Sequence, residues 1–151
     1  MRAKDLSSYN LDESIPYLMN RVVGRQNRGL EEDLLEMGIS FQHWRVLAVL
    51  AMGDGLSIAD LSAYAVVPHS TLSRLLTRLE EEGLIERSAQ TPDGRTAHIL
   101  LTPGGRALYR KIVPLAIEHR ESALVDFTAA EKNQLCGLLK RMLANLEIQP
   151  R

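Results

Sequence analysis

The chain has 151 residues, a net charge of −1, and a composition that is 45% hydrophobic and 25% charged. These values predict one soluble globular domain, and they argue against a protein that binds nucleic acid through excess positive charge alone. Aromatic residues make up only 5% of the chain, so aliphatic side chains must fill the core, which favours a mainly helical fold.

Several classes of protein are disfavoured by what the sequence lacks. It has no apolar stretch of ~18 residues that would span a bilayer, and no basic region followed by an apolar run. The single cysteine, Cys136, excludes an intrachain disulfide and a cysteine-based metal cluster. Glycine-rich phosphate loops, nucleophile elbows and carboxylate pairs are also missing. We therefore expect a cytoplasmic protein with no membrane contact, no catalytic activity and no cofactor or metal.

The N-terminal part reads as two helices. Helical spacing of apolar residues predicts a first helix over about Asp12–Met37, in which Gly24 and Gly29 mark a bend or a close helix contact. Ser40 is expected to cap a second helix with the sequence FQHWRVLAVLAM, which ends at a glycine-containing turn.

Two shorter helices and a hairpin follow. Ser57 to Asp60 has the form of a capping box and starts a third helix, and Pro68 opens a fourth that ends at Gly83. The fourth helix carries leucines at helical spacing, namely Leu72, Leu75, Leu76 and Leu79. The segments Leu84–Ser88 and Thr96–Leu101 are short and strand-like, and a Pro92-Asp93-Gly94 turn signal between them predicts a two-stranded hairpin.

The C-terminal part is helical again. Thr102 is expected to cap a fifth helix that runs to about Val125 and is kinked at Pro114. Thr128 to Glu131 forms a capping box for a sixth helix. That helix places apolar residues on one broad face, namely Leu135, Leu138, Leu139, Met142, Leu143 and Leu146.

The fourth helix has the pattern of a DNA-reading helix. A short helix, a tight turn, a second helix and a hairpin follow one another in the order of a winged helix-turn-helix. At ~100° per residue, Ser70, Arg74 and Thr77 lie opposite the leucines, with Ser73 and Arg78 on the flanks. No acid occurs in residues 61–79. The leucine spacing alone favours an amphipathic core helix with a solvated face, but the acid-free, hydroxyl-rich outer face and the hairpin that follows favour DNA.

The contacts of this helix can be assigned by position. Its N-terminal end, with His69, Ser70 and Thr71, suits phosphate because the first N–H groups of a helix are free. We expect the base-reading set to be Ser70, Thr71, Ser73 and Arg74, and we expect His69 and Arg78 to contact phosphate.

These features resemble the MarR family of bacterial winged-helix regulators. The wing motif of that family is Asp-x-Arg, five residues, then Leu-Thr, and it stands here as Asp93-Gly94-Arg95 followed by Leu101-Thr102, with Gly105 three residues later. The stretches FQHWRVL and STLSRLLTRLEEEGLIER resemble the second helix of the family and its recognition helix with the first wing strand.

The resemblance implies a homodimer that binds double-stranded DNA at a pseudo-palindromic operator, as a repressor whose affinity responds to a small-molecule or redox signal. It implies one domain, with a DNA-binding lobe at about 40–102 and dimerisation helices at about 12–37 and 103–148. Arg95 would reach the minor groove, and Asp93 would orient the wing by pairing with an arginine. The alternative for this pair is a plain turn with a surface ion pair.

Family ligands are often phenolic carboxylates, and an arginine with aromatic residues suits such a ligand. Candidate residues for an aromatic acid are Tyr17, Arg21, His43, Trp44, Tyr109 and Arg110. The alternative is that Trp44 belongs to the core and the arginines are solvated or bind phosphate.

Two other functions remain open from the residues alone. A winged-helix module that binds proteins would fit the slight net acidity. A thiol-based sensor would use Cys136, which has Lys132 and Lys140 four residues to either side, although we expect this thiol to be buried or inert. His98 is expected to face outward from a strand, and His119 to lie on a helix surface.

Overall fold

The computed structural model describes residues 10–53, 55–88 and 98–147, which form six α-helices and one small sheet. In chain order the elements are a 3-10 helix (Leu11–Glu13), α1 (Ile15–Glu36), α2 (Phe41–Met52), β1 (Leu56–Ser57), α3 (Ile58–Ala65), α4 (His69–Glu81), β2 (Ile85–Ser88), β3 (His98–Leu101), α5 (Pro103–Ser122) and α6 (Ala129–Glu147). No helix in these ranges is long and apolar enough to cross a membrane.

Side-chain caps start four of the helices as predicted. In each, a hydroxyl oxygen accepts the backbone N–H three residues later, and each such cap contributes ~1 kcal/mol. The pairs are Ser40–His43 at 3.2 Å, Ser57–Asp60 at 3.1 Å, Thr102–Gly105 at 3.0 Å and Thr128–Glu131 at 3.3 Å.

Two predicted helix ends were wrong. The first helix begins at Ile15 rather than Asp12, because Asn10 caps a separate 3-10 turn by accepting the Asp12 N–H at 3.1 Å. The fifth helix ends at Ser122 rather than Val125, where the Ser122 hydroxyl donates to the His119 carbonyl at 2.8 Å. That helix continues through Pro114.

The predicted hairpin strands are part of a three-stranded antiparallel sheet of order β1-β3-β2. Leu56 pairs with Ile99 and Ser57 pairs with His98, so the two residues of β1 cover the free edge of β3. As predicted, His98 lies on the face of β3 opposite the buried Ile99 and Leu101. Its ring is nevertheless half-buried there, and its Nδ1 lies 2.5 Å from the Gly55 carbonyl oxygen. The turn signal at Pro92 to Gly94 lies outside the described residues.

The core lies in two clusters. The four predicted leucines of α4 are buried and pack with apolar residues of α2, α3, β2 and β3, which confirms the predicted inner face of that helix. A second cluster, composed of Leu30, Leu34, Ile39 and Ile112, joins α1 and α5 to the α1–α2 turn. At ~1.5–3 kcal/mol for each fully buried aliphatic side chain, these clusters hold α4 and the long helices in fixed positions.

The outer surfaces of α1 and α6 stay uncovered in the single chain. No described side chain of α6 is buried. The exposed large apolar residues of these two helices are Ile15, Leu18, Met19, Val22, Val23, Leu35, Leu135, Leu138, Met142, Leu143 and Leu146. Exposed apolar residues in such number suggest an interaction site.

His119 does not lie free on the surface of α5 as expected. Its Nε2 is 2.7 Å from Asp33 Oδ2 on α1. A methyl group on Gly29 would come within 2.8 Å of the His119 ring, whereas one on Gly24 would meet nothing within 4 Å. The predicted close helix contact is therefore confirmed at Gly29, and the structure shows none at Gly24.

Candidate nucleic-acid interface

The side of α4 opposite the buried leucines is polar and accessible. We call this surface the outer face. Its exposed residues are His69, Ser70, Ser73, Arg74, Thr77 and Arg78, and the predicted contact Thr71 is half-buried beside them. The fold therefore presents this set of predicted DNA contacts to solvent on one helix.

The polar side chains of the outer face differ in how firmly they are held. Arg74 has no ion pair or hydrogen bond within the described part of the chain. The Thr77 hydroxyl donates to the Ser73 carbonyl at 3.1 Å, so it is held against the helix. Arg78 Nε lies 2.8 Å from Glu82 Oε1. Because both partners are largely exposed, this pair contributes less than ~1 kcal/mol and can be exchanged for another anion.

Two carboxylates at the C-terminal end of α4 are tied to cations. Glu80 Oε2 lies 3.0 Å from Arg87 Nε on β2, and Glu82 pairs with Arg78. Along the outer face from His69 to Arg78 no residue is acidic. The part of the helix from His69 to Arg78 can therefore approach a polyanion with little local repulsion.

The predicted wing contacts Asp93 and Arg95 lie outside the described residues. The base of the wing is described, and it is anchored to the C-terminal end of α4. The Thr102 hydroxyl donates to the Gly83 carbonyl at 2.6 Å, and the Thr102 N–H donates to the Leu84 carbonyl at 3.1 Å. These hydrogen bonds hold the C-terminal end of β3 next to the N-terminal end of β2.

A cleft of about 310 Å³ lies between the N-terminal end of α2 and α4. We call it the α2–α4 cleft. Its lining residues are Ser40, Gln42, His43, Thr71, Arg74, Leu75 and Arg78. Thr71, Arg74 and Arg78 are predicted DNA contacts, and the structure places Ser40 and Gln42, which the sequence did not single out, beside them in this cleft.

His43 is buried where α2 begins. The residue is only 5% exposed, and its Nδ1 accepts the Ser40 N–H at 3.2 Å. The neutral ring therefore carries its proton on Nε2, which has no partner in the described part of the chain. Burial lowers the pKa of His43 below its ordinary 6.5, the Glu82 carboxylate opposes that change, and the Arg78 guanidinium adds to it. The ring is consequently neutral at pH 7.

Four of the six candidate ligand residues form two separate pairs. Trp44 and Tyr109 stack with ring centroids 5.7 Å apart and planes 12° from parallel. The Arg21 guanidinium lies 5.5 Å from the Tyr17 ring centroid. Arg110 is exposed on α5. His43 lines the α2–α4 cleft and a cavity of about 290 Å³ behind it, and neither contains the other five residues.

Two remaining features concern other chemistries. Cys136 is exposed in the single chain rather than buried, and the neighbouring Lys132 ammonium is paired with Glu121. Among the described residues, no group of three or more His, Cys, Asp or Glu could hold a metal ion.

The chain is similar in sequence to known transcriptional regulators. A family model described as MarR family matches residues 37–96. The homoprotocatechuate degradative operon repressor of Escherichia coli is 33% identical over 103 residues, which are 68% of this chain and 70% of the repressor.

Solved structures of similar proteins share this fold over most of the chain. A MarR family transcriptional regulator from Silicibacter pomeroyi superposes with a TM-score of 0.88 and 36% identity, and the match covers 98% of this chain and 100% of that one. BpsR of Bordetella bronchiseptica, whose DNA binding is regulated by 6-hydroxynicotinic acid, gives a TM-score of 0.72 at 25% identity, with 89% of this chain and 97% of BpsR covered.

Proposed function

Because this chain belongs to the MarR family of transcriptional regulators, we propose that it is a repressor that binds a pseudo-palindromic DNA operator as a homodimer. In this proposal α4 enters the major groove, and the base-reading residues are Ser70, Thr71, Ser73 and Arg74. His69 and Arg78 contact phosphate, and Arg95 reaches the minor groove from the wing. Recognition by one helix per subunit places the two helices about one DNA turn, ~34 Å, apart.

The single observation that carries this proposal is the division of α4 into two faces. Leu72, Leu76 and Leu79 are fully buried, which fixes the rotation of the helix about its axis. The same rotation exposes on the outer face the hydroxyls and Arg74, which has no partner among the described residues. A groove-entering helix needs donors at base edges and no carboxylates near phosphates, and this face provides both.

The homodimer is supported by the uncovered apolar surface of α1 and α6. A second copy of the chain would bury these side chains by a two-fold contact, which pairs the same patch on both subunits. That contact would also set the separation of the two α4 helices. A dimer of this kind explains why the long terminal helices carry more apolar surface than the single chain can bury.

An aromatic acid is the effector class that we propose. The support is the stacked Trp44–Tyr109 pair, because a planar aromatic ring can pack on such a pair. The regulation of BpsR by 6-hydroxynicotinic acid is a precedent in a similar protein.

Two experiments test this function. Selection of duplexes from a random library followed by fluorescence anisotropy over a salt series should give a two-fold symmetric consensus and binding that weakens steeply with salt. Failure to enrich any sequence would instead favour a protein-binding module. Trp44 is the only tryptophan, so its fluorescence can report the binding of aromatic acids, which should lower affinity for the selected duplex.

A further inference from the structure

The α2–α4 cleft has the composition of an anion site. The guanidinium groups of Arg74 and Arg78 and the hydroxyls of Ser40 and Thr71 are among its lining residues, and none of the lining residues is acidic. Arg74 has no partner within the described ranges, and the pair that holds Arg78 is exposed and weak. An anion could therefore bind these two guanidinium groups without breaking a strong ion pair.

The first turn of α2 adds backbone donors to this cleft. The Ser40 hydroxyl accepts the His43 N–H, and the Ser40 carbonyl accepts the Trp44 N–H at 3.2 Å. The N–H groups of Phe41 and Gln42 have no acceptor in the part of the chain that is described. Free N–H groups at the start of a helix favour an anion, because the helix dipole places partial positive charge there.

His43 gives a second and independent sign of a missing ligand beside this turn. His43 is one of the residues that line the cleft, and only 5% of it is exposed. Its Nε2 has no partner among the described residues. A buried donor without an acceptor costs ~1–3 kcal/mol. An acceptor that reached Nε2 from the cleft, directly or through a water molecule, would remove that cost.

We propose that the α2–α4 cleft binds one backbone phosphate of the DNA, and that the Gln42 backbone N–H is a ligand to it. This inference rests on the proposed function. Arg74 belongs both to the outer face and to the cleft, so the cleft lies along the flank of the helix that enters the groove. Phosphates border the major groove on both sides, and contacts to them fix the orientation of a reading helix. His43 is a positioning residue, because its ring completes the cap that shapes the first turn of α2.

A matched pair of variants isolates the backbone donor. Gln42→Pro removes the N–H, whereas Gln42→Ala removes the side chain and keeps the N–H. Gln42 is the second residue of α2, and proline is tolerated in the first turn of a helix. The chain itself carries Pro16 at the second position of α1. Circular dichroism and the unfolding midpoint of both variants would verify that α2 still forms.

Affinity for the selected duplex should fall about tenfold or more in Gln42→Pro, as expected for a lost hydrogen bond to a charged group, and less than about twofold in Gln42→Ala. Scanning the duplex with single methylphosphonate substitutions should locate one neutralised position at which Gln42→Pro and the parent bind equally. Equal affinities of the folded Gln42→Pro and Gln42→Ala proteins would overturn the phosphate site while leaving DNA binding intact. A parent protein that binds no selected duplex would overturn both.

Discussion

His119 on α5 and Asp33 on α1 are joined by a 2.7 Å contact between Nε2 and Oδ2, across 86 residues of sequence. The pair bridges the two long helices beside Gly29, whose missing side chain leaves room for the imidazole ring. The same two helices share the buried cluster of Leu30, Leu34 and Ile112. The His119–Asp33 contact therefore adds a polar link to an apolar packing contact between α1 and α5.

Gly29→Ala should disturb this pair. Alanine improves helix propensity by ~1 kcal/mol at either Gly24 or Gly29, but only at Gly29 does the new methyl meet the His119 ring. We expect Gly24→Ala to raise the free energy of unfolding by ~1 kcal/mol and Gly29→Ala to give less than that or to lower it. Urea unfolding would measure both. The deficit at Gly29 should shrink in a His119→Ala background, and an unchanged deficit there would show that the ring is not its cause.

Gly105→Ala should be strongly destabilising. A methyl group at this position would overlap the Leu84 carbonyl, which is backbone and cannot move aside cheaply. At the adjacent Gly104 the added methyl would lie 3.4 Å from the Gly83 carbonyl oxygen. We expect a loss of ~2 kcal/mol or more for Gly105→Ala and a change within ~0.5 kcal/mol for Gly104→Ala, by urea unfolding. Equal effects would mean that α5 can shift away from the strand.

Arg74→Ala should weaken binding to the selected duplex by ~1–3 kcal/mol and relax selectivity at one base pair. The reason is that Arg74 lies on the outer face of α4 and has no ion pair or hydrogen bond with any residue that the structure describes. Anisotropy titrations against the selected duplex and its single-base variants would measure this. If the loss is the same on every duplex, Arg74 contacts phosphate rather than a base edge.

Stability should fall as the pH is lowered through the ordinary histidine pKa of 6.5, because burial lowers the pKa of His43 in the folded chain. Below 6.5 the unfolded chain binds a proton that the folded ring resists, so the stabilisation is present above 6.5 and decreases as the pH falls. Urea unfolding between about pH 7.5 and 5.5 should show a steeper decline for the parent than for His43→Gln, since glutamine can still accept the Ser40 N–H but does not titrate. Parallel curves for the two proteins would assign the decline to other groups.

Leu138→Glu should dissociate the homodimer. It would place a carboxylate in the apolar surface of α6, and an unpaired charge buried there would raise the dimer dissociation constant by about a hundredfold or more. Met52→Glu is the matched control, because Met52 is 88% exposed and lies at the end of α2 rather than on α1 or α6. Sedimentation equilibrium would compare the two. A Leu138→Glu protein that dimerises as tightly as the control would place the interface elsewhere.

Most helices and the two faces of α4 could be predicted from the sequence, because short-range signals determine them. A cap is a contact between residues three apart, as in Ser40–His43 and Thr128–Glu131. The burial of Leu72, Leu75, Leu76 and Leu79 follows from their helical spacing, and the exposure of Arg74 follows from being opposite to them. The same local information did not show that Asn10 and Ser122 move two helix ends, since competing side-chain bonds decided those.

The sequence by itself thus determined the element order, the inner and outer faces of α4 and the resemblance to the family. Only the tertiary structure decided which distant residues meet. A strand of two residues is too short to show a hydrophobic period, so the pairing of Leu56 with Ile99 could not be predicted from the sequence. The contacts of His98 with Gly55 and of His119 with Asp33 span 43 and 86 residues and leave no local pattern. The cleft that brings Gln42 beside Arg74 is of the same kind, because it depends on how α2 packs against α4.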